Sequence, residues 1–174
     1  HLKSSGAAIA AEIRAMIFLF IMLSFLSGCA LIYFGLRGTG SYLQLLFLIL
    51  GISAIVAAIK YTVGKRPYGY SGLGDLMVFL FFGLLGVMGT YYLHGQSVSW
   101  AILMPASSIG LFSAGVLNLN NLRDRENDKE NGKLTLVVKL GLKRAKIYHV
   151  TLIVLGLIIS LIYTFTHFSS ASQL

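Results

Sequence analysis

The stretch from residue 76 to residue 122, LMVFLFFGLLGVMGTYYLHGQSVSWAILMPASSIGLFSAGVLNLNNL, carries no Asp, Glu, Lys or Arg. A helix rises about 1.5 Å per residue, so about 20 apolar residues cross the ~30 Å hydrocarbon layer. The charge-free stretch is long enough for two crossings, and His94, Gly95, Gln96 and Ser97 interrupt it. It therefore reads as two membrane spans, roughly 75–93 and 98–117. Working outward, the intervals between charged residues supply three more, at roughly 15–36, 41–59 and 147–166. The expected fold is all-α, a polytopic transmembrane helical bundle with about five spans, forming a single domain over 1–174.

Composition agrees. Of 174 residues, 56% are hydrophobic and 11% charged, and mean hydropathy is +0.80, values that exclude an ordinary soluble domain. The lone cysteine, Cys29, sits in an apolar run, which excludes a disulfide framework within the chain and reads as a small buried apolar residue. The first apolar stretch is long enough to stay in the membrane, and no cleavable signal peptide is expected.

The loop charges orient the bundle. Short cytoplasmic loops are enriched in Lys and Arg, and a cytoplasmic N-terminus puts thirteen of the fourteen Lys and Arg residues inside, leaving only Arg37 outside. Topology thus accounts for most of the +8 charge, and no nucleic acid partner is called for. The same placement gathers the cytoplasmic segments 1–14, 60–75 and 118–146 on one face, where three polar stretches can build one site.

The densest polar stretch is NNLRDRENDKENGKLT, residues 120–135. On a helix, Asn121, Asp124 and Asp128 (i, i+3, i+7) share one stripe, with Asn120 beside it. Acids clustered at a membrane helix end point to function, because ionisable groups are costly in hydrocarbon. Two carboxylates and an amide oxygen are hard ligands suited to Mg²⁺, which prefers few carboxylates plus water and substrate phosphates. Such a set would hold a diphosphate. A solvated, salt-bridged helix end is the plainer reading. The neighbouring Arg123, Arg125, Lys129, Lys133 and Lys139 could balance phosphate charge, though all but Lys133 read rather as anchors of the loop to the lipid headgroups.

The second polar stretch, YTVGKRPYGYSGLGD, residues 61–75, cannot continue a helix. Its glycines let backbone N–H groups approach an anion, and Lys65 with Arg66 adds two cations. The alternative is a positively charged re-entry turn. Asp75 reads either as the cap of the next helix or as a substrate contact.

These two stretches resemble the UbiA superfamily of intramembrane aromatic prenyltransferases. Residues 120–141, NNLRDRENDKENGKLTLVVKLG, look like its second aspartate-rich motif, D-x-x-x-D followed by G-K-x-T, and Tyr61, Lys65 and Arg66 match Y-x-x-x-K-R. The paired Asn120 and Asn121 ahead of R-D, with GYSGLGDLMVFLFFGLLGVMGTYYLHG (69–95), are similar to the branch whose acceptor is 1,4-dihydroxy-2-naphthoate in menaquinone synthesis. The resemblance covers roughly Ser4 to Tyr148.

It implies a nine-helix enzyme of the bacterial cytoplasmic membrane with its site toward the cytoplasm. The partners implied are polyprenyl diphosphate, 1,4-dihydroxy-2-naphthoate and the lipid bilayer. Mg²⁺ would assist loss of diphosphate, and the carbocation would alkylate the ring with loss of CO₂ to give demethylmenaquinone. Carried over by position, Asp124 and Asp128 would be catalytic metal ligands with Asn121 beside them. Lys65, Arg66 and Lys133 would contact diphosphate, and Tyr61 and Asp75 would form the substrate wall. The family's first aspartate-rich motif, N-D-x-x-D-x-x-x-D, has no counterpart, since Glu12 is the only acid before Asp75. The chain therefore reads as a central piece of such an enzyme, holding one half of a two-part metal site.

The competing functions are a relative using another acceptor, such as 4-hydroxybenzoate or a tetrapyrrole, a transporter or channel, and a non-catalytic scaffold. A transporter would need charges or broken helices at midplane, whereas every acid here lies at a span end. Gly83, Gly86 and Gly89 (i, i+3, i+6) read as a helix-packing face, or as a thinning for the isoprenoid tail. Phe79, Phe81, Phe82, Tyr91 and Tyr92 could shield a carbocation by cation–π contact, but Tyr91 and Tyr92 lie near the outer interface, where belts of Tyr are common, and none is read as catalytic. The histidines lack the spacing of a metal site or a triad.

Overall fold

A computed structural model describes residues 2–65, 67–95 and 97–167, with side chains described from residue 11 onward. Five helices are long and apolar enough to cross a membrane. They are α1 (Leu2–Gly35), α2 (Ser41–Thr62), α3 (Gly74–Gly95), α4 (Leu103–Arg123, extended at its start by a 3₁₀ turn, Trp100–Ile102) and α6 (Leu136–His167). The short helix α5 (Arg125–Glu130) follows α4 directly, and a 3₁₀ turn, Tyr68–Tyr70, lies between α2 and α3. Among the described residues there is no β-strand.

The chain divides into two compact units, residues 1–56 and 57–174. In the first, α1 and most of α2 are joined by a turn at Gly38, whose φ of 87° suits glycine. The Leu36 carbonyl accepts from Thr39 Oγ1 at 2.8 Å and from Gln44 Nε2 at 3.2 Å. Leu36 is the only buried residue among those with described side chains in this unit. Ser24, Gly28, Cys29, Leu48, Gly51 and Ile52 line a cavity of about 90 Å³ between the two helices, so Cys29 is half-buried rather than enclosed.

In the second unit, α3, α4 and α6 pack closely because small residues face one another. A Cβ on Gly83 of α3 would lie 2.5 Å from the Gly110 Cα of α4, and one on Gly110 would lie 2.7 Å from the Phe79 ring. Toward α6, Gly115 abuts Ile153, Gly156 abuts Phe112, and Ser108 Oγ donates to the Gly156 carbonyl at 2.8 Å. This is how membrane helices associate where lipid removes the hydrophobic incentive. Gly83 carries the close approach, while a Cβ on Gly86 would meet only its own helix, the Phe81 carbonyl at 3.2 Å.

Two departures from regular helix bear on the site. Residues Phe79–Met88 of α3 are π-helical, with each turn hydrogen-bonded one residue further along, a geometry enriched at functional sites. In α6, Gly141 takes φ 74° and ψ 163°, so residues 136–140 form a separate first turn before the membrane span proper.

Candidate functional site

The G-K-L-T of residues 132–135 is a folding device before it is a chemical one. Gly132, at φ 68°, ends α5: its N–H bonds to the Lys129 carbonyl at 3.2 Å, and the Lys133 N–H bonds to the Asp128 carbonyl at 2.8 Å. That pair of bonds is a Schellman cap, which needs a left-handed residue at Gly132. The reversal carries the Lys133 side chain back over α5. Thr135 is buried and caps α6, its Oγ1 accepting the Val138 N–H at 3.4 Å.

Lys133 consequently meets Asp128. Its Nζ donates to Asp128 Oδ1 at 3.2 Å, and Oδ2 lies equally close to the ammonium but outside hydrogen-bond geometry. Asp128 is only 5% exposed. A buried carboxylate of this kind needs a counter-charge.

The loop after α2 closes on the same place. Leu134 N–H donates to the Tyr70 carbonyl at 3.0 Å, and Lys139 Nζ donates to the Ser71 carbonyl at 2.6 Å. Lys133 Nζ stands 6.0 Å from the centre of the Tyr70 ring. Gly72, at φ 79°, keeps the loop clear of Lys139 and the Leu134 carbonyl. Tyr61 ends α2 half-buried, its ring edge-on to Tyr68 at 5.5 Å, with Gly69 and Gly74 against it. Tyr68 donates to the Ala57 carbonyl at 2.8 Å, and burial, then the neighbouring Tyr61, pushes its phenol up from the ordinary range. Tyr61 interacts electrostatically with Lys133, Asp75 and Asp128. One phenol is thus in the field of three of the sequence-predicted residues.

Asp75 sits in the first turn of α3, buried, but does not cap it. Leu73 holds the cap position, and the Asp75 carboxylate is instead buried in electrostatic contact with Tyr148 of α6. No motif or spacing singles out Tyr148 in the sequence.

The remaining predicted residues are placed differently. Asn121 is buried on α4, whereas the side chain of Asp124 is 41% exposed. α4 ends at Arg123 and α5 starts at Arg125, so Asp124 is the hinge. Both its oxygens accept from Arg123, at 2.8 and 3.0 Å. Those bonds hold its carboxyl below the usual carboxylate range. Arg125 pairs with Glu126. Lys65 is exposed in the loop after α2, and Arg66 lies outside the described residues.

Among the described residues no three His, Cys, Asp or Glu side chains converge as a metal cage. The hard oxygen donors at this end of the helices are Asp128, with one oxygen free of hydrogen bonds, buried Asn121, and Asp124 at the hinge, the donor types Mg²⁺ takes when phosphate and water complete its shell.

The chain matches the UbiA prenyltransferase family over residues 9–172. It belongs to that family. Among relatives, the 1,4-dihydroxy-2-naphthoate octaprenyltransferase of Haemophilus influenzae is 50% identical over 148 residues, covering 85% of this chain and 47% of that protein. The Escherichia coli protein of the same name is 46% identical over 147 residues, 84% of this chain and 47% of its own length. The 2-carboxy-1,4-naphthoquinone phytyltransferase of Synechocystis is 33% identical over 97 residues, 55% of this chain and 32% of its own. The chain therefore spans about half the length of the first two relatives. No solved structure matches it at a significant level. Family membership and five apolar helices make this an integral membrane protein.

Proposed function

We propose that the whole protein transfers a polyprenyl group from polyprenyl diphosphate to 1,4-dihydroxy-2-naphthoate, releasing diphosphate and CO₂ and yielding demethylmenaquinone at the hydroquinone level. The observation that carries the reading is the buried Asp128–Lys133 pair, with Tyr61 at the end of α2 and Tyr70 of the following 3₁₀ turn around it. It joins a cation-binding oxygen to a phosphate-binding ammonium at one membrane face. The names of the two octaprenyltransferase relatives supply the acceptor.

Asp128 and Asp124, together with Asn121, would hold Mg²⁺, whose bound charge would stabilise the departing diphosphate. Lys133 donates to a diphosphate oxygen as the allylic C–O bond lengthens, and Lys65 and Arg66 add charge from the loop. Tyr61 walls the reacting carbon from bulk water. The carboxylated ring carbon takes the prenyl cation, and CO₂ leaves with its bonding pair returned to the ring. Thirteen of fourteen basic residues on one predicted face support a cytoplasm-facing site in the bacterial inner membrane.

The test is acceptor-dependent turnover of the whole protein in membranes with polyprenyl diphosphate. Prenylated, decarboxylated naphthohydroquinone formed only when Mg²⁺ is present is expected. Product from 4-hydroxybenzoate and none from the naphthoate would overturn the acceptor, and metal-independent turnover would overturn the cation.

A further inference from the structure

A second group of polar atoms lies deeper in the unit of residues 57–174, and diphosphate handling does not use it. Asp75 is 5% exposed, and its Oδ2 has no hydrogen-bond partner although Tyr148 serves the carboxylate. Asn118 is fully buried, and neither its amide oxygen nor its amide nitrogen is partnered. His149 Nδ1 is buried and unpartnered as well.

Helix register brings these residues to one level. Ser108 meets Gly156 and Gly115 meets Ile153, so antiparallel α4 and α6 set residue 118 at the level of residues 146–150, the turn that holds Tyr148 and His149. On the other side, the Leu117 side chain lies 3.2 Å from where a Cβ on Gly74 would stand, so Asn118 and Asp75 each adjoin that contact.

Buried polar atoms left without partners are costly, and those that persist in a folded protein call for an explanation. The needs here are specific. A free carboxylate oxygen requires an O–H or N–H donor, while a primary amide requires both an acceptor and a donor. A hydroxylated aromatic ring that also bears a carboxylate offers both kinds of group. We infer that Asp75, held by Tyr148, and Asn118 receive the aromatic acceptor, with Asp75 Oδ2 taking the proton of the ring hydroxyl next to the alkylated carbon. The inference rests on the prenyl-transfer reading and extends it from the diphosphate to the ring.

The chemistry balances without an added reagent. The allylic C–O bond breaks with its electron pair leaving on diphosphate, and a C–C bond forms to the carboxylated ring carbon. The adjacent hydroxyl gives its proton to Asp75 and becomes a ketone. A carboxylate one carbon from a ketone readily loses CO₂, because the released pair passes into an enolate. Asp75 then returns the proton to that oxygen and ends as it began. The titratable groups in its surroundings are Tyr148 and Tyr61, which interact with it electrostatically, and His149, next along α6.

The whole protein in membranes tests this by separating diphosphate release from ring alkylation. In Asp75→Asn, alkylation should fall about a hundred-fold, the scale of a lost general base, while diphosphate release from the allylic substrate stays within about two-fold of wild type. Tyr148→Phe should raise the acceptor KM about ten-fold, the scale of one lost polar interaction, and leave the prenyl diphosphate KM unchanged. An acceptor methylated on that hydroxyl should be used equally poorly by wild type and Asp75→Asn. Alkylation by Asp75→Asn at the wild-type rate would overturn the inference. So would a proportional fall of both half-reactions with an unchanged acceptor KM in Tyr148→Phe, because the cluster would then only pack around buried water. Wild-type protein that releases no diphosphate from allylic substrate at all would instead defeat the prenyl-transfer reading itself.

Discussion

The hairpin of residues 11–56 and the helices of residues 57–167 are built from the same apolar residue types, yet they differ in what they bury. In the hairpin, Leu36 alone among the described residues is buried; in the second unit, glycines, alanines and polar side chains are. Hydropathy decides that a segment enters the bilayer, while small residues at matched heights decide that helices associate there. The second unit has such pairs, Gly83 on Gly110 and Gly115 under Ile153. In the hairpin, a Cβ on Gly28 or Gly51 would meet nothing within 4 Å.

Substitutions can break or sharpen that contrast. The largest effect is expected at the polar end of the second unit, where Asp128→Asn in the whole protein should lower prenyl transfer about 10²–10³-fold. A rate assay checks it, and near-normal turnover would remove Asp128 from the chemistry. Next is Gly83→Ala, whose methyl would press on the Gly110 backbone; it should cost about 1–3 kcal/mol, read as a lower melting temperature in detergent. Lys139→Met removes one hydrogen bond to the Ser71 carbonyl, and should cost about 1 kcal/mol in the same melt. Smallest is Gly51→Ala in the hairpin, expected to be neutral or to stabilise by about 0.5–1 kcal/mol through lost backbone freedom. If Gly51→Ala proved as damaging as Gly83→Ala, the contrast between the two regions would fail.

Much of this fold is legible from charge placement alone. The uncharged run 76–122 is too long for one helix and is broken at His94 to Ser97, so two of the spans follow from the bilayer's thickness. The D-x-x-x-D and G-K-x-T spacing likewise points to residues 120–135 before any coordinates. Less legible is where each carboxylate points. Helical arithmetic treats 121–128 as one cylinder, but the chain changes helix at Asp124, and the adjacent Arg123 is free to take both its oxygens. Asp75 offers a second case, because a carboxylate at the start of a helix has the local signature of a cap. Only the tertiary approach of Tyr148, dozens of residues away, gives it another partner. The π-helical turns of 79–88 have no local signal either, since Gly83 and Gly86 suit an α-helical packing face equally well.

The left-handed turn at Gly132 has one more outcome. By folding Lys133 over Asp128, it gives the buried carboxylate its counter-charge from within the same short stretch of chain. Under the proposed reading, a cation held by Asp128 would have to displace that lysine, and the released ammonium would be left for an anion, so that loading of one cargo would be coupled to capture of the other.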